Sequence, residues 1–167
     1  MTSAELLVDA FGRVREEVHA VVDDLSTDDL AFRVGDSANT IAWLVWHLTR
    51  IQDDHLADAA DHPQVWTDQG WFDRFGLSLR KSDTGYGHSA AQVAKVKASA
   101  ELLIGYYDAT NEQTIDYVKT LKDKDFDRIV DEAWDPPVTL GVRLISVISD
   151  DLQHVGQAAF VRGMLGK

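Results

Sequence analysis

The sequence predicts an all-α protein, a four-helix bundle with long crossover connections, and three observations carry that expectation. Four stretches place apolar residues at helical spacing, two long connections separate them, and no internal repeat suggests a solenoid. One bundle domain over residues 1–167 is the expected organisation, because 167 residues suit a single core.

Thr2-Ser3-Ala4-Glu5 has the capping-box pattern that opens a helix, and Leu6, Leu7, Ala10, Phe11, Val14, Val18, Val21, Val22 and Leu25 follow at helical spacing. The first helix is therefore placed at about 3–24. Gly35, Asp36 and Ser37 interrupt the segment from Ser26 to Asn39, which reads as a connection with one short helical turn at Thr27 to Leu30. A second helix runs from about Thr40 to Ala60. A second capping box, Ser89-Ala90-Ala91-Gln92, is read as the start of a third helix that continues to Leu121. Asp123 to Val138 is polar, ends in Pro136-Pro137, and leaves room for a short extended piece at Phe126 to Val130. The fourth helix spans Leu140 to Leu165.

Composition excludes several function classes. There is no cysteine, so disulfides, a thiolate nucleophile and thiolate metal ligands are all absent, and any metal must be held by nitrogen and oxygen. Sixteen basic against 28 acidic residues give a net charge of −12, which argues against a nucleic-acid partner. No run of 18 apolar residues and no basic-then-apolar start is present, so no membrane span or signal peptide is expected and the protein is placed in the cytoplasm.

The chemistry concentrates in the fourth helix. Asp150 and His154 are four residues apart, one turn above each other on one helix face, where they can grip a single ion. Gln157 shares that face. Leu144, Ile145, Val147, Ile148, Leu152, Val155, Ala158, Ala159 and Val161 flank the pair, which is read as pointing inward. Two similar pairs, His19 with Asp23 and Asp58 with His62, fall on a charged face and at a helix end, and read as solvated. On the second helix, His47 sits within an apolar run, with Asp54 two turns further along the same face. A lone histidine there is commonly a hydrogen-bonded core residue. Bundle packing, however, would lay it against Asp150 and His154, which lack a third ligand, and Asp54 could orient the imidazole.

The segment from Asp61 to His88 loses periodicity but keeps Trp66, Trp71, Phe72 and Phe75, which argues for an ordered insertion. Trp66, Trp71 and Phe72 are candidates for the wall of an acceptor pocket, with packing across a helix end as the alternative. Gly85-Tyr86-Gly87-His88-Ser89-Ala90 superficially matches a dinucleotide fingerprint, yet no strand precedes it and no βαβ unit surrounds it.

The run Thr40-Ile41-Ala42-Trp43-Leu44-Val45-Trp46-His47-Leu48, with His154-Val155-Gly156-Gln157 late in the chain, resembles the DinB/YfiT-like superfamily of metal-binding four-helix bundles over nearly the whole sequence. The resemblance implies ligand histidines at His47 and His154. Between them, the superfamily's middle histidine position is taken by Asp150, giving a His/Asp/His set. Such a set suits zinc first but also manganese, nickel or iron. The sequence is most similar in appearance to the actinobacterial S-transferases of that superfamily, which use the thiol mycothiol; a mycothiol-dependent isomerase is a related reading.

The implied chemistry is coherent. Three protein ligands leave a position open on a divalent ion, and a thiol placed there is deprotonated at neutral pH, so a cosubstrate can supply the nucleophile that the chain lacks. An electrophilic small molecule would be the acceptor, with Asp54 and Gln157 supporting the ligands from behind. A non-catalytic metal-binding stress or interaction protein, and a two-histidine, one-carboxylate iron site for oxygen chemistry, are the rival readings. The bundle is also expected to pair as a homodimer through an exposed helix face.

Overall fold

A computed structural model describes residues 1–167. Four long helices form the bundle: α1 (Ser3–Val22), α3 (Ile41–Ala60), α7 (Ala100–Thr120) and α8 (Leu140–Met164). Short helices α2 (Thr27–Leu30), α4 (Val65–Asp68), α5 (Trp71–Phe75) and α6 (Ala90–Val93) lie in the connections. Each of α1 and α3 packs against both α7 and α8, with α1 and α3 nearly out of reach of each other. The α3–α8 contact is the most extensive and carries the site described below.

Local chemistry sets the helix starts. Thr2 and Glu5 form a reciprocal capping box on α1, and Thr40, Ser99 and Thr139 accept the first-turn N–H groups of α3, α7 and α8. The third long helix differs from the sequence expectation. The Ser89 box forms, but it opens only the single turn of α6, and α7 begins ten residues later. Ser99 adopts an extended backbone and caps Leu102, which stops any helix passing through it, while Val96 and Ala98 are buried in the linking segment. Between α7 and α8 the chain makes a 3₁₀ turn (Asp123–Asp127) and a two-stranded antiparallel ribbon of β1 (Ile129–Asp131) and β2 (Val138–Thr139).

The core has two parts. One joins Leu7 and Phe11 of α1 to Leu56, Val118, Leu140 and Leu144. The other is aromatic and includes Trp43, Trp46, Trp66, Phe75, Tyr106 and Tyr107. This second part holds the 61–88 insertion on the bundle, and a buried ion pair on α3 ties it there. Arg50 and Asp53 are 1 % and 2 % exposed and lie 3.6 Å apart. The Asp53 carboxylate accepts the N–H groups of Val65 and Trp66, both at 2.8 Å, and the Tyr106 hydroxyl at 2.7 Å. It thereby caps α4 from another element. Arg50 donates to the Gln64 side chain at 2.9 Å and to the carbonyl of Asp83 at 3.1 Å, and lies over the Trp66 ring. One pair on one helix turn therefore holds both ends of the insertion. Burial pushes the Asp53 carboxyl above its usual range, opposed by the donors around it.

Removing one partner of such a pair leaves the other charged and buried, a cost of about 3–5 kcal/mol. Asp53→Ala is expected to lose stability on that scale in chemical denaturation, whereas Tyr106→Phe, which removes one donor, is expected to lose about 1 kcal/mol. Amide exchange in residues 64–84 should quicken in Asp53→Ala; unchanged exchange there would mean the pair does not hold the insertion.

Candidate metal centre

His47 lies one turn after Trp43 on the face of α3 that packs on α8, so both rings meet His154. The His47 imidazole is held on two sides. Nδ1 lies 2.6 Å from the carbonyl oxygen of Thr84, and since a carbonyl only accepts, Nδ1 carries the proton and Nε2 is left as the free lone pair. The Trp43 ring stacks on the imidazole with centroids 4.5 Å apart. Burial pulls the His47 pKa below that of free histidine despite the opposing Thr84 bond, and the net shift favours the neutral form that metal binding needs.

Across the helix interface, His154 Nε2 lies 3.5 Å from Asp150 Oδ1, and His154 Nδ1 lies 3.3 Å from the Gln157 side-chain oxygen. Burial lowers the His154 pKa, but the hydrogen bond and charge of Asp150, together with Gln157, outweigh it and the net shift is upward. The His47 and His154 rings meet edge to face at 4.8 Å. One ligand atom from each of His47, Asp150 and His154 falls within 4.8 Å of the others.

These residues fit a divalent ion. Ligands about 2.1 Å from a tetrahedral ion stand about 3.4 Å apart, close to the His154–Asp150 separation. Asp150 Oδ2 is buried without a hydrogen-bond partner, an arrangement that costs free energy unless a cation or donor occupies the space. Two imidazole nitrogens and a carboxylate suit zinc, and equally manganese, nickel or iron. A hollow of about 230 Å³ opens beside the cluster, with His47, Ile51, His55, Tyr86, Val147 and Asp150 among its walls.

Several expectations require correction. Asp54 turns away from His47, accepts the Gln64 amide at 2.6 Å, and lines a separate polar hollow. The group that orients His47 is the Thr84 carbonyl instead. Trp66, Trp71 and Phe72 do not line the hollow at the triad. Trp66 is 1 % exposed, donates its indole N–H to the carbonyl of Lys81, and packs edge-on against Phe72 and Phe75. Trp71 covers Gly105, where a Cβ would come 2.7 Å from its ring. All three form the insertion's own core against α7, the packing alternative. Of the apolar residues expected to flank the pair inside, Ile145, Leu152 and Ala159 are exposed. His19 pairs with Asp108 of α7 at 2.8 Å rather than with Asp23, and His62 bonds the Pro63 carbonyl at the exposed helix end.

Gly85 was masked by the misleading fingerprint match. It has φ +99°, and a Cβ there would stand 2.5 Å from His47 Nδ1 and 3.2 Å from the Trp43 ring. The glycine signals close backbone approach to a candidate ligand side chain, not to a phosphate. His88, further along the same turn, accepts the Trp43 indole N–H at 3.2 Å and fixes the ring that stacks on His47. Thr84 acts through its main chain, so its residue type carried no signal.

Replacing His47, Asp150 or His154 singly with Ala should abolish stoichiometric metal binding, measured by elemental analysis after dialysis. An Asp150→Ala protein with full stoichiometry would remove that carboxylate from the site and direct attention to His55. Gly85→Ala should lower metal affinity about 10–100-fold by displacing the imidazole, the usual scale for outer-shell changes. Metal also competes with the proton on His154. Because that pKa is raised, affinity should rise with pH through a value above that of free histidine, and Gln157→Ala should shift the midpoint downward.

Residues 6–166 match the family described as mycothiol-S-transferase. In structure, the chain is similar to a conserved protein from Enterococcus faecalis, with TM-score 0.93 and 28 % identity over 100 % of this chain and 99 % of that one. It is also similar to a DinB-like protein from Bacillus cereus, with TM-score 0.62 and 16 % identity over 97 % and 92 % of the two chains, a likeness of fold. No curated protein matches the sequence. With a DinB-like four-helix fold, a candidate metal site between α3 and α8, and a family match across all but a few terminal residues, the chain belongs to the mycothiol-S-transferase family.

Proposed function

We propose that the protein is a divalent-metal-dependent S-transferase that joins mycothiol to an electrophilic small molecule, a detoxification reaction. The observation that carries this reading is the convergence of His47, Asp150 and His154, with His47 and Asp150 in the wall of an open hollow. A structural ion would be closed by a fourth protein ligand, whereas a catalytic one keeps a position open. With no cysteine in the chain, a nucleophilic sulfur has to come from a cosubstrate.

A divalent ion held by these three residues, zinc being the first candidate, would favour the thiolate form of a bound thiol. The chain's own residues do the rest. Thr84 and Trp43 hold the His47 ring so that Nε2 faces the site, and Asp150 and Gln157 hold His154. Ile51 and Val147 supply an apolar wall that limits water at the reacting atoms. In the reaction the thiol loses its proton to solvent, a new carbon–sulfur bond forms, and the acceptor either loses a leaving group with its bonding electrons or takes up a proton.

No helix is long and apolar enough to cross a membrane, and a cytoplasmic placement belongs to this proposed reading. Val142, Ile145, Leu152 and Phe160 are exposed along α8, and a homodimer that covers them belongs to the same reading. Mass measurement in solution at micromolar concentration tests it.

Calorimetry on metal-free and metal-loaded protein tests the reaction class. Mycothiol should bind only the loaded form, releasing one proton per thiol after buffer correction, because the ion lowers a thiol pKa of about 8.5. Equal affinity in both forms would exclude this mechanism. Thiol consumption that requires oxygen would favour the iron reading, and metal binding without turnover would favour a non-catalytic metal protein.

A further inference from the structure

A second, polar hollow of about 370 Å³ lies beside the candidate metal centre, and His55 lines both. Its walls include Asp54, Asp58, Gln64, Asp131 and Arg143. Arg143 donates to Asp131 at 2.6 Å and lies 3.3 Å from His55 Nδ1. A guanidinium has no acceptor, so that contact requires His55 Nδ1 to be unprotonated and the ring neutral. Three carboxylates therefore face one guanidinium, and that guanidinium is already paired with one of them. The hollow is rich in groups that accept hydrogen bonds from hydroxyls, and it is unfavourable to anions.

Tyr86 is the second observation. It lines the hollow at the triad, is 90 % exposed, and stands between Gly85 and Gly87, both in the left-handed region. The same turn supplies the Thr84 carbonyl to His47, so its backbone is anchored while its side chain is left almost wholly exposed. An exposed aromatic face beside carboxylates and an amide is the combination that receives a sugar or polyol ring, whose C–H face stacks while its hydroxyls donate.

We propose that the two hollows form one groove, joined at His55 and overhung by Tyr86, which holds the uncharged, hydroxyl-rich body of the thiol cosubstrate and turns anionic thiols away. The thiol end lies at His47, Asp150 and His154, and the carrier runs along α3 toward Asp58 and Gln64. This rests on the transferase reading above and adds to it the residues that choose the thiol. Tyr86, Asp54 and Asp58 bind the carrier and take no part in bond making.

Cobalt-loaded protein provides the test, because a thiolate that binds cobalt produces a near-ultraviolet absorption band independent of turnover. The probes are mycothiol, glutathione as an anionic thiol, and 2-mercaptoethanol as a thiol without a carrier. The groove predicts that mycothiol binds at least tenfold more tightly than glutathione or 2-mercaptoethanol. Tyr86→Ala and the double variant Asp54→Asn, Asp58→Asn should each reduce the mycothiol-to-mercaptoethanol affinity ratio by tenfold or more, and the double variant should also narrow the gap to glutathione. Circular dichroism and cobalt stoichiometry verify folding, and Asp58→Asn alone alters only an exposed side chain. If 2-mercaptoethanol gives the band but mycothiol binds no more tightly, or the ratios survive both variants, the groove is wrong while the transferase reading stands. If no thiol gives the band, both fall.

Discussion

The buried pair of Arg50 and Asp53 is the constraint on which the rest of this molecule depends. Burying two charges is costly, and the cost is offset here because both side chains are surrounded by hydrogen-bond partners from the insertion and from Tyr106. Those partners come from residues 64–66 and from residue 83, the two ends of a segment with no long helix of its own. The insertion therefore takes up one position on the bundle. Immediately beyond Asp83, the chain delivers the Thr84 carbonyl to His47 and passes Gly85 against the ring. A charge pair that touches no reacting atom thus acts, through the insertion it anchors, on the tautomer and orientation of a candidate metal ligand.

The functional and structural roles of the aromatic residues are divided otherwise than their sequence positions suggest. Trp66, Trp71 and Phe72 spend their area on holding the insertion to Tyr106 and Gly105. Trp43, part of an apolar helical run, is the ring that stacks on His47 and is itself held by His88. Tyr86, the aromatic with almost no packing, stands at the mouth of the hollow. A large apolar side chain stabilises most when fully buried, so the conspicuous tryptophans were drawn to the core. Among the rings around the site, Tyr86 is the one left exposed and free to meet a ligand.

Polarity around the site is arranged along α3. Toward its N-terminal half, His47 is enclosed by Trp43 and the insertion, which favours the neutral imidazole. Two and three turns later, Asp54, His55 and Asp58 open onto a polar hollow shared with Arg143 of α8. Both environments arise from the same helix pair, because α3 and α8 diverge in what covers them: the insertion at one end and the β1–β2 ribbon, through Asp131, at the other.

The sequence by itself determined the helices whose signals are local. The Thr2–Glu5 capping box stands at the right offset for α1, and the apolar period placed the other long helices. It also determined the pair Asp150 and His154, since four residues on one helix fix their mutual position without reference to any other element. The early end of the Ser89 helix was not legible, because Val93, Val96 and Ala98 satisfy burial whether the chain is helical or extended, and the competing cap at Ser99 decided it. Only the tertiary structure decided what joins His47 to Asp150 and His154, what orients His47, and where Asp54 points. Those outcomes depend on contacts between residues tens of positions apart, and the partner of His47 is a backbone carbonyl that every residue type possesses. Periodicity fixes the direction of a side chain within its own helix; the group it meets is set by packing and by the buried charges that hold the packing in place.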